Sequence, residues 1–140
     1  MSQQPQYGTK MKSKGGFDRI RKAMGYTLEG LKAAYRHEHA FQQEVWVLTP
    51  LALVAWFNPH FASWIRALLF GSLVLILIVE LLNSAIEANT DHISLEQNPL
   101  AKRAKDMGSA AVFLAIVNAV CIWCSVLWTV YGSTLWSWMF

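Results

Sequence analysis

The sequence carries little charge and has no apolar run near its start. Charged residues make up 15% of the 140-residue chain, where a soluble domain carries about a quarter. No charged residue follows Asp106, and the first sixteen residues are polar, so we expect no cleavable signal peptide. With 54% hydrophobic residues and seven tryptophans, the composition favours a membrane protein over a soluble one.

The sequence also lacks a recognisable metal motif. Its two cysteines, Cys121 and Cys124, form a C-x-x-C inside an apolar stretch. A redox or zinc motif needs polar access and, for zinc, further ligands, so we interpret both as packing residues. The histidines show no ligand spacing shared with a carboxylate pair, and no metal is assigned to His37, His39, His60 and His92.

The hydrophobic pattern predicts an all-α membrane protein. Residues 1–16 are polar and contain glycine, which predicts a disordered tail. Residues 17–140 are predicted to form one domain, in which an amphipathic surface helix occupies about 17–38. Membrane spans are predicted at about 41–57, 64–86 and 107–131. The first span is the weakest, because its charge-free part begins only at Val45.

The basic residues predict an orientation. They cluster before the first span and again at Lys102, Arg103 and Lys105, whereas residues 58–66 and the C-terminal tail hold one between them. The positive-inside rule then places the N-terminus in the cytoplasm and the C-terminus outside. Basic stretches also occur in nucleic-acid-binding proteins, but beside long apolar runs they favour an anionic membrane surface, so we expect no nucleic-acid partner.

One helical face carries the candidate chemistry. At 100° per residue, Glu80, Asn83, Glu87 and Asp91 fall within about 60° of one another, with Ser84 beside them. An ionisable residue at membrane depth is a functional hypothesis, since its burial is costly. A deep carboxylate can accept a proton and a shallower one can hold a divalent cation. The residues alone leave open a polar helix–helix contact and proton-coupled transport.

Several segments resemble the signature of the prokaryotic diacylglycerol kinases. They are Glu80 to Glu87 (ELLNSAIE) with Asp91, Ala104 to Ala111 (AKDMGSAA), Phe41 to Glu44 (FQQE), Gly25-Tyr26 and Glu38. The resemblance covers roughly residues 17–128. It implies a homotrimer in the bacterial inner membrane, with a surface helix and three spans per chain and a periplasmic C-terminus. It also implies direct transfer of the γ-phosphate of ATP, with Mg²⁺ as cofactor, to diacylglycerol within the bilayer, giving phosphatidic acid.

The resemblance assigns roles to individual residues. Glu80 is implied as the general base, and Glu38 and Glu87 as ligands of Mg²⁺. A nucleotide site is implied at Arg19, Tyr26, Glu38, Glu87, Asp91, Glu96, Lys105 and Asp106. The lipid substrate is implied to contact Glu80, Asn83, Ser109 and Trp123. The sequence contains no G-x-x-x-x-G-K-[ST] loop and no protein-kinase H-R-D or D-F-G set, so its phosphate site must be built differently.

Two positions depart from the family pattern, and other functions remain open. Gln42 stands where arginine is common, which removes a cation near the mouth of the site, and Asn98 stands where histidine is frequent. Undecaprenol is an alternative acceptor, although FQQE resembles the Gram-negative diacylglycerol type. A proton-coupled transporter with Glu80 as its relay would leave the Glu87–Asp91 extension unexplained. A non-catalytic assembly module is a third possibility.

Overall fold

The computed structural model describes residues 16–93 and 98–139, and each regular element in these ranges is an α-helix. The prediction of a helical protein is therefore confirmed. The predicted disordered tail, apart from Gly16, and the predicted nucleotide residue Glu96 lie outside the described residues. The helices are α1 (Gly16–His37), α2 (His39–Phe57), α3 (Ser63–Ile93) and α4 (Pro99–Met139).

The chain divides into two compact units, Met1–Ala33 and Ala34–Phe140. The described part of the first unit is the amphipathic start of α1, where Asp18 forms ion pairs with Lys22 (3.0 Å) and Arg21 (3.5 Å). Its large apolar side chains are exposed at helical spacing, at Phe17, Ile20, Met24, Leu28 and Leu31. Such a stripe is typical of an interfacial helix, and location at a membrane surface remains a prediction.

Local chemistry sets where the helices of the second unit begin and end. Glu38 adopts an extended conformation (φ −107°, ψ 107°) and separates α1 from α2. Pro59 disfavours helical geometry at Asn58, where ψ is 119° and α2 ends. At the start of α4, Asn98 Oδ1 accepts a hydrogen bond from the Leu100 N–H (2.8 Å), and Pro99 occupies the first helical position, where its missing N–H costs nothing.

Helix α3 packs against both α2 and α4 and so forms the centre of the second unit. Two apolar clusters hold the three helices together. The first consists of Leu48, Leu73, Ile76, Ala115 and Ala119. The second consists of Ala55, Phe61, Ile65, Leu69 and Val126. Small residues such as Ala115 and Ala119 let helix backbones approach closely, which favours helix association in a membrane.

Polar contacts fasten the α2–α3 loop to α4 at the end of the bundle opposite Glu80. Asn58 Nδ2 donates a hydrogen bond to the Tyr131 hydroxyl (2.9 Å), and the Arg66 guanidinium donates to the Asn58 carbonyl (3.1 Å). The His60 and Phe61 rings pack edge-on against the Tyr131 ring. These contacts fix the α2–α3 connection relative to α4.

Within the described residues, two helices are long and apolar enough to cross a membrane, over Ser63–His92 and Pro99–Gly132. They contain the predicted spans 64–86 and 107–131. Helix α2 has 19 residues and is not one of the helices in the described ranges that are long and apolar enough to cross a membrane. Its polar start, with Gln42, Gln43 and Glu44, lowers its hydropathy. The first predicted span, 41–57, therefore remains a prediction.

Candidate active site

Three polar residues on the inner face of α3, within one and a half helical turns, are buried. Glu80 is 4% exposed, and Asn83 and Ser84 are each 8% exposed. Burying polar groups is unfavourable unless they find partners, so their burial together on one face of an apolar helix marks this part of α3 as a candidate site. The structure thus places Glu80 and Asn83 on the face that the sequence pattern predicted.

Asn83 contacts α4 next to the buried site. Its Nδ2 donates a hydrogen bond to Glu87 Oε1 (3.2 Å), and its amide also lies close to the Glu80 carboxylate. Its buried Oδ1 has no hydrogen-bond partner among the described residues. A Cβ at Gly108 on α4 would overlap Asn83 Oδ1 and lie 3.3 Å from Asn83 Cγ. Glycine at 108 therefore allows the backbone of α4 to pass directly over the Asn83 amide.

Carboxylates from three segments converge on Glu80. The charges of Glu87, on α3, and of Glu38, between α1 and α2, act on the Glu80 carboxylate. Glu44, on α2, is also within range of Glu80, and its Oε2 is buried without a hydrogen-bond partner in the described structure. Neighbouring carboxylate charges repel one another. A cation bound among them would relieve this repulsion, so the site suits a bound cation.

Sequence reasoning missed two members of this group. Glu44 was identified only as part of the FQQE motif, and Ser84 only as a neighbour of the polar face. The available signal for Glu44 was a carboxylate within the predicted span 41–57, where an uncompensated charge is costly. Its proximity to Glu80 depends on how α2 packs on α3, which the pattern of a single helix does not define.

The predicted magnesium ligands meet the chemical requirements in part. Within the described ranges there is no group of three or more His, Cys, Asp or Glu side chains placed to hold a metal by themselves. Mg²⁺ usually binds proteins through one or two carboxylates and completes its shell with water and substrate phosphates. Glu38 and Glu87, which both lie near Glu80, are carboxylates of the type that such a site needs.

Two of the predicted nucleotide residues meet across the α3–α4 pair. Lys105 Nζ lies 2.8 Å from Asp91 Oδ1, and the charge of Glu87 also acts on Lys105. Asp106 is exposed and pairs with Lys102, one turn earlier on α4 (3.1 Å). The Lys105 ammonium is therefore held beside the carboxylates of Glu87 and Asp91, where it can attract an anionic ligand.

The remaining predicted residues differ in location. Arg19 and Tyr26 are exposed on the first unit, and the site described above is built from the second unit alone. Ser109 follows Gly108 on α4 and is exposed. Trp123 packs against both apolar clusters, and its buried indole Nε1 has no partner among the described residues.

An apolar groove of about 500 Å³ leads away from the carboxylates. It lies between α2 and α4 over α3, with Glu44 among the residues lining it and Trp123 on its wall. Ligand pockets in proteins commonly have volumes of about 300 to 1,000 Å³. The groove can therefore hold an apolar ligand beside Glu44.

Fold and site together define an all-helical protein with membrane-length helices and a buried carboxylate site beside an apolar groove. A family model described as prokaryotic diacylglycerol kinase matches residues 25–127. Diacylglycerol kinase of Escherichia coli K12 is 50% identical over 118 residues, which cover 84% of this chain and 95% of the relative. The chain belongs to the prokaryotic diacylglycerol kinase family, as its motifs predicted, and the enzyme class, a kinase, is confirmed with it.

Relatives with the same name come from other bacteria. Diacylglycerol kinase of Pseudomonas aeruginosa PAO1 is 48% identical over 116 residues, covering 83% of this chain and 94% of the relative. That of Helicobacter pylori J99 is 38% identical over 117 residues, covering 83% and 90%. Each match spans almost the whole relative, and the family is one of bacterial membrane enzymes, which agrees with the two membrane-length helices.

Proposed function

We propose that this kinase transfers the γ-phosphate of ATP to the hydroxyl of diacylglycerol, giving phosphatidic acid. The observation that carries the proposal is the burial of Glu80, 4% exposed, close to Glu44, a residue that lines an apolar groove. The relatives named diacylglycerol kinase support the choice of lipid. A hydroxyl carried by two acyl chains could reach Glu80 while the chains remain in apolar surroundings.

In this mechanism Glu80 is the general base. It accepts the proton of the lipid hydroxyl as the hydroxyl oxygen attacks the γ-phosphorus, and ADP leaves on the opposite side. None of the ion pairs among the described residues involves Glu80, so no described cation competes for its carboxylate. The Asn83 amide, hydrogen-bonded to Glu87, holds the neighbouring carboxylate in place.

Magnesium is proposed to bind Glu38 and Glu87 together with the nucleotide phosphates. When bound, the ion would neutralise phosphate charge. Glu38 and Glu87 act on Glu80 from two different segments, so together they could fix the phosphates relative to the base. This donor set matches the preference of Mg²⁺ for carboxylate and phosphate oxygens.

Replacing Glu87 by Gln is expected to raise the Mg²⁺ concentration needed for half-maximal activity by roughly tenfold or more, since a neutral amide is a poor Mg²⁺ ligand. Magnesium titrations at saturating ATP would measure the shift. Glu29→Gln is the matched control, because Glu29 is exposed on α1 and should leave the titration unchanged. An unchanged magnesium requirement in Glu87→Gln would contradict the assignment.

The nucleotide is proposed to bind at the polar ends of α3 and α4. Lys105, held by Asp91 at 2.8 Å, would attract the polyphosphate as a point charge. Asp106, one position further on, is exposed and accessible to the ligand. Arg19, Tyr26 and Glu96 are proposed members of the same nucleotide site on the basis of the family motif.

The lipid acceptor is proposed to lie in the groove between α2 and α4. Trp123 lines this groove with its apolar ring. Asn83 and Ser109 would border the polar head of the lipid, beside the Glu80 carboxylate. Undecaprenol is the second candidate acceptor, since its single apolar chain also suits an apolar groove.

We propose that the protein is a homotrimer of chains with three spans each, and that the exposed side of α3 forms the interface between chains. Apolar side chains recur there at spacings of seven, three and four residues and are at least 41% exposed, at Leu68, Leu75, Ile78 and Leu82. This spacing is typical of helices that pack against copies of themselves. Light scattering of the detergent-solubilised protein should give three chains of 15.8 kDa per particle, and a monomer would contradict the proposal.

The proposed location is the bacterial inner membrane, with the N-terminus in the cytoplasm and the C-terminus in the periplasm. The basic residues that precede α2 and begin α4 support this orientation. It would place Lys105 and Asp91 on the side where ATP is present. Labelling of single cysteines at the two ends with an impermeant reagent on intact cells would test it.

The function is tested by a radiolabelled-ATP assay in mixed micelles, in which diacylglycerol and undecaprenol are offered separately, with and without Mg²⁺. Magnesium-dependent label in phosphatidic acid is the expected result. Label only in undecaprenyl phosphate would keep the mechanism and overturn the substrate. Absence of label in both lipids, from correctly assembled protein, would favour a proton-coupled transporter instead.

A further inference from the structure

The Ser84 hydroxyl is buried beside Glu80 without a described partner. Ser84 is 8% exposed, and its Oγ forms no hydrogen bond with the residues that the structure describes. Buried polar atoms in folded proteins nearly always have a partner, so one that does not requires an explanation. The proposed function gives Ser84 no role.

Other hydroxyls in the same helices do find partners. Thr49, Ser72, Thr90 and Ser125 each donate to a backbone carbonyl three or four residues earlier, at 2.6 to 3.0 Å. This is the usual arrangement for serine and threonine within a helix. For Ser84 the corresponding acceptor is the backbone carbonyl of Glu80, and the structure shows no such bond. No described residue therefore competes with a ligand for the proton of the Ser84 hydroxyl.

Ser84 occupies the level at which the phosphoryl group would pass. It lies about 6 Å along the axis of α3 from Glu80 and about 40° around it, and about 4.5 Å along the axis before Glu87. Glu80 is the proposed base and Glu87 a proposed magnesium ligand. A γ-phosphoryl group moving from the nucleotide to the lipid oxygen would lie between these two heights.

We propose that the Ser84 hydroxyl donates a hydrogen bond to a non-bridging oxygen of the phosphoryl group during transfer. The inference rests on the proposed function. The new bond joins the lipid oxygen to the γ-phosphorus, and the bond from that phosphorus to the β–γ bridging oxygen breaks. The lipid proton passes to Glu80, ADP leaves with the electron pair, and Ser84 keeps its own proton. A donor fixed in a water-poor site stabilises the charge on the transferring group.

Kinetics of Ser84→Ala test the proposal. Loss of one such donor should lower kcat by roughly 10- to 100-fold, toward the lower end of the effects known for oxyanion donors, with the KM values for ATP and lipid nearly unchanged. Ser84→Thr retains a hydroxyl and should recover most of the rate. Ser72→Ala is the matched control, because Ser72 is buried on the same helix but bonded to the Leu69 carbonyl (2.7 Å), and it should behave as wild type.

Three outcomes would overturn the inference. The first is a wild-type kcat in Ser84→Ala, and the second is a raised KM for either substrate at unchanged kcat, which would place Ser84 in ground-state binding. The third is a covalent phosphoprotein formed from ATP alone that disappears in Ser84→Ala, which would make Ser84 a nucleophile. Failure of the proposed function itself is recognised separately, because the wild-type enzyme would then fail to label diacylglycerol in the same experiment.

Discussion

Replacing Glu80 by Gln is expected to reduce kcat by roughly a hundred- to ten-thousand-fold, the contribution typical of a general base. Glutamine preserves the size of the buried side chain, which is 4% exposed, but cannot accept the proton of the lipid hydroxyl. Initial rates of phosphatidic acid formation at saturating ATP and lipid would measure the loss. Binding of ATP and the assembly state should be retained, since the substitution leaves Lys105 and the exposed face of α3 unchanged.

These two controls separate chemistry from folding. ATP binding to Glu80→Gln can be followed by calorimetry, and assembly by light scattering in the same detergent. A variant that binds ATP and assembles as wild type, yet loses kcat, supports Glu80 as the base. A variant with the wild-type rate would exclude Glu80 from proton transfer and favour the view that its burial serves only helix packing.

Replacing Gly108 by Ala is expected to destabilise the α3–α4 pair by about 1 to 3 kcal/mol, the usual cost of overpacking. The new Cβ would overlap Asn83 Oδ1 and displace the amide that donates to Glu87 (3.2 Å). Because Asn83 and Glu87 both belong to the site, we expect kcat to fall by at least about tenfold, in line with the cost of misplacing groups that position a reaction. Thermal or denaturant unfolding in detergent, together with the kinase assay, would measure both effects.

Two further variants test whether the effect acts through Asn83. Gly30→Ala is the matched control, because its Cβ would meet nothing within 4 Å and the gain in helix propensity is about 1 kcal/mol. It should be neutral or stabilising. In an Asn83→Ala background the obstructing amide is gone, so Gly108→Ala should cost much less stability. Equal costs in both backgrounds would show that the Asn83–Gly108 contact is not the cause.

The sequence was most informative about single helices. The 100° spacing of Glu80, Asn83 and Glu87 predicted one face of α3, and two of the three are buried there, with the third bonded to Asn83. The prediction succeeded because side-chain direction along one helix follows from backbone geometry alone. The apolar runs likewise predicted α3 and α4, since long charge-free segments leave few alternatives to a helix in a membrane.

The spacing of residues along single helices could not predict the contacts between helices. The Asp91–Lys105 ion pair joins residues 14 positions apart, and it exists because α3 and α4 lie side by side. The Asn83–Gly108 contact depends on the register of that pair to within one residue, which no helical period encodes. Glu44 reaches Glu80 through the packing of α2 on α3. That the Ser84 hydroxyl has no partner among the described residues also depends on how the helices pack around it.

The central claim is that Glu80 activates a lipid hydroxyl for direct attack on ATP, and the stereochemical course at phosphorus tests it most directly. The wild-type protein would be given ATP made chiral at the γ-phosphorus with oxygen isotopes, and the configuration of the phosphate on the lipid product would be determined. A single in-line transfer inverts the configuration, and inversion is the predicted result. Retention would require two successive transfers through a phosphorylated side chain and would contradict the account.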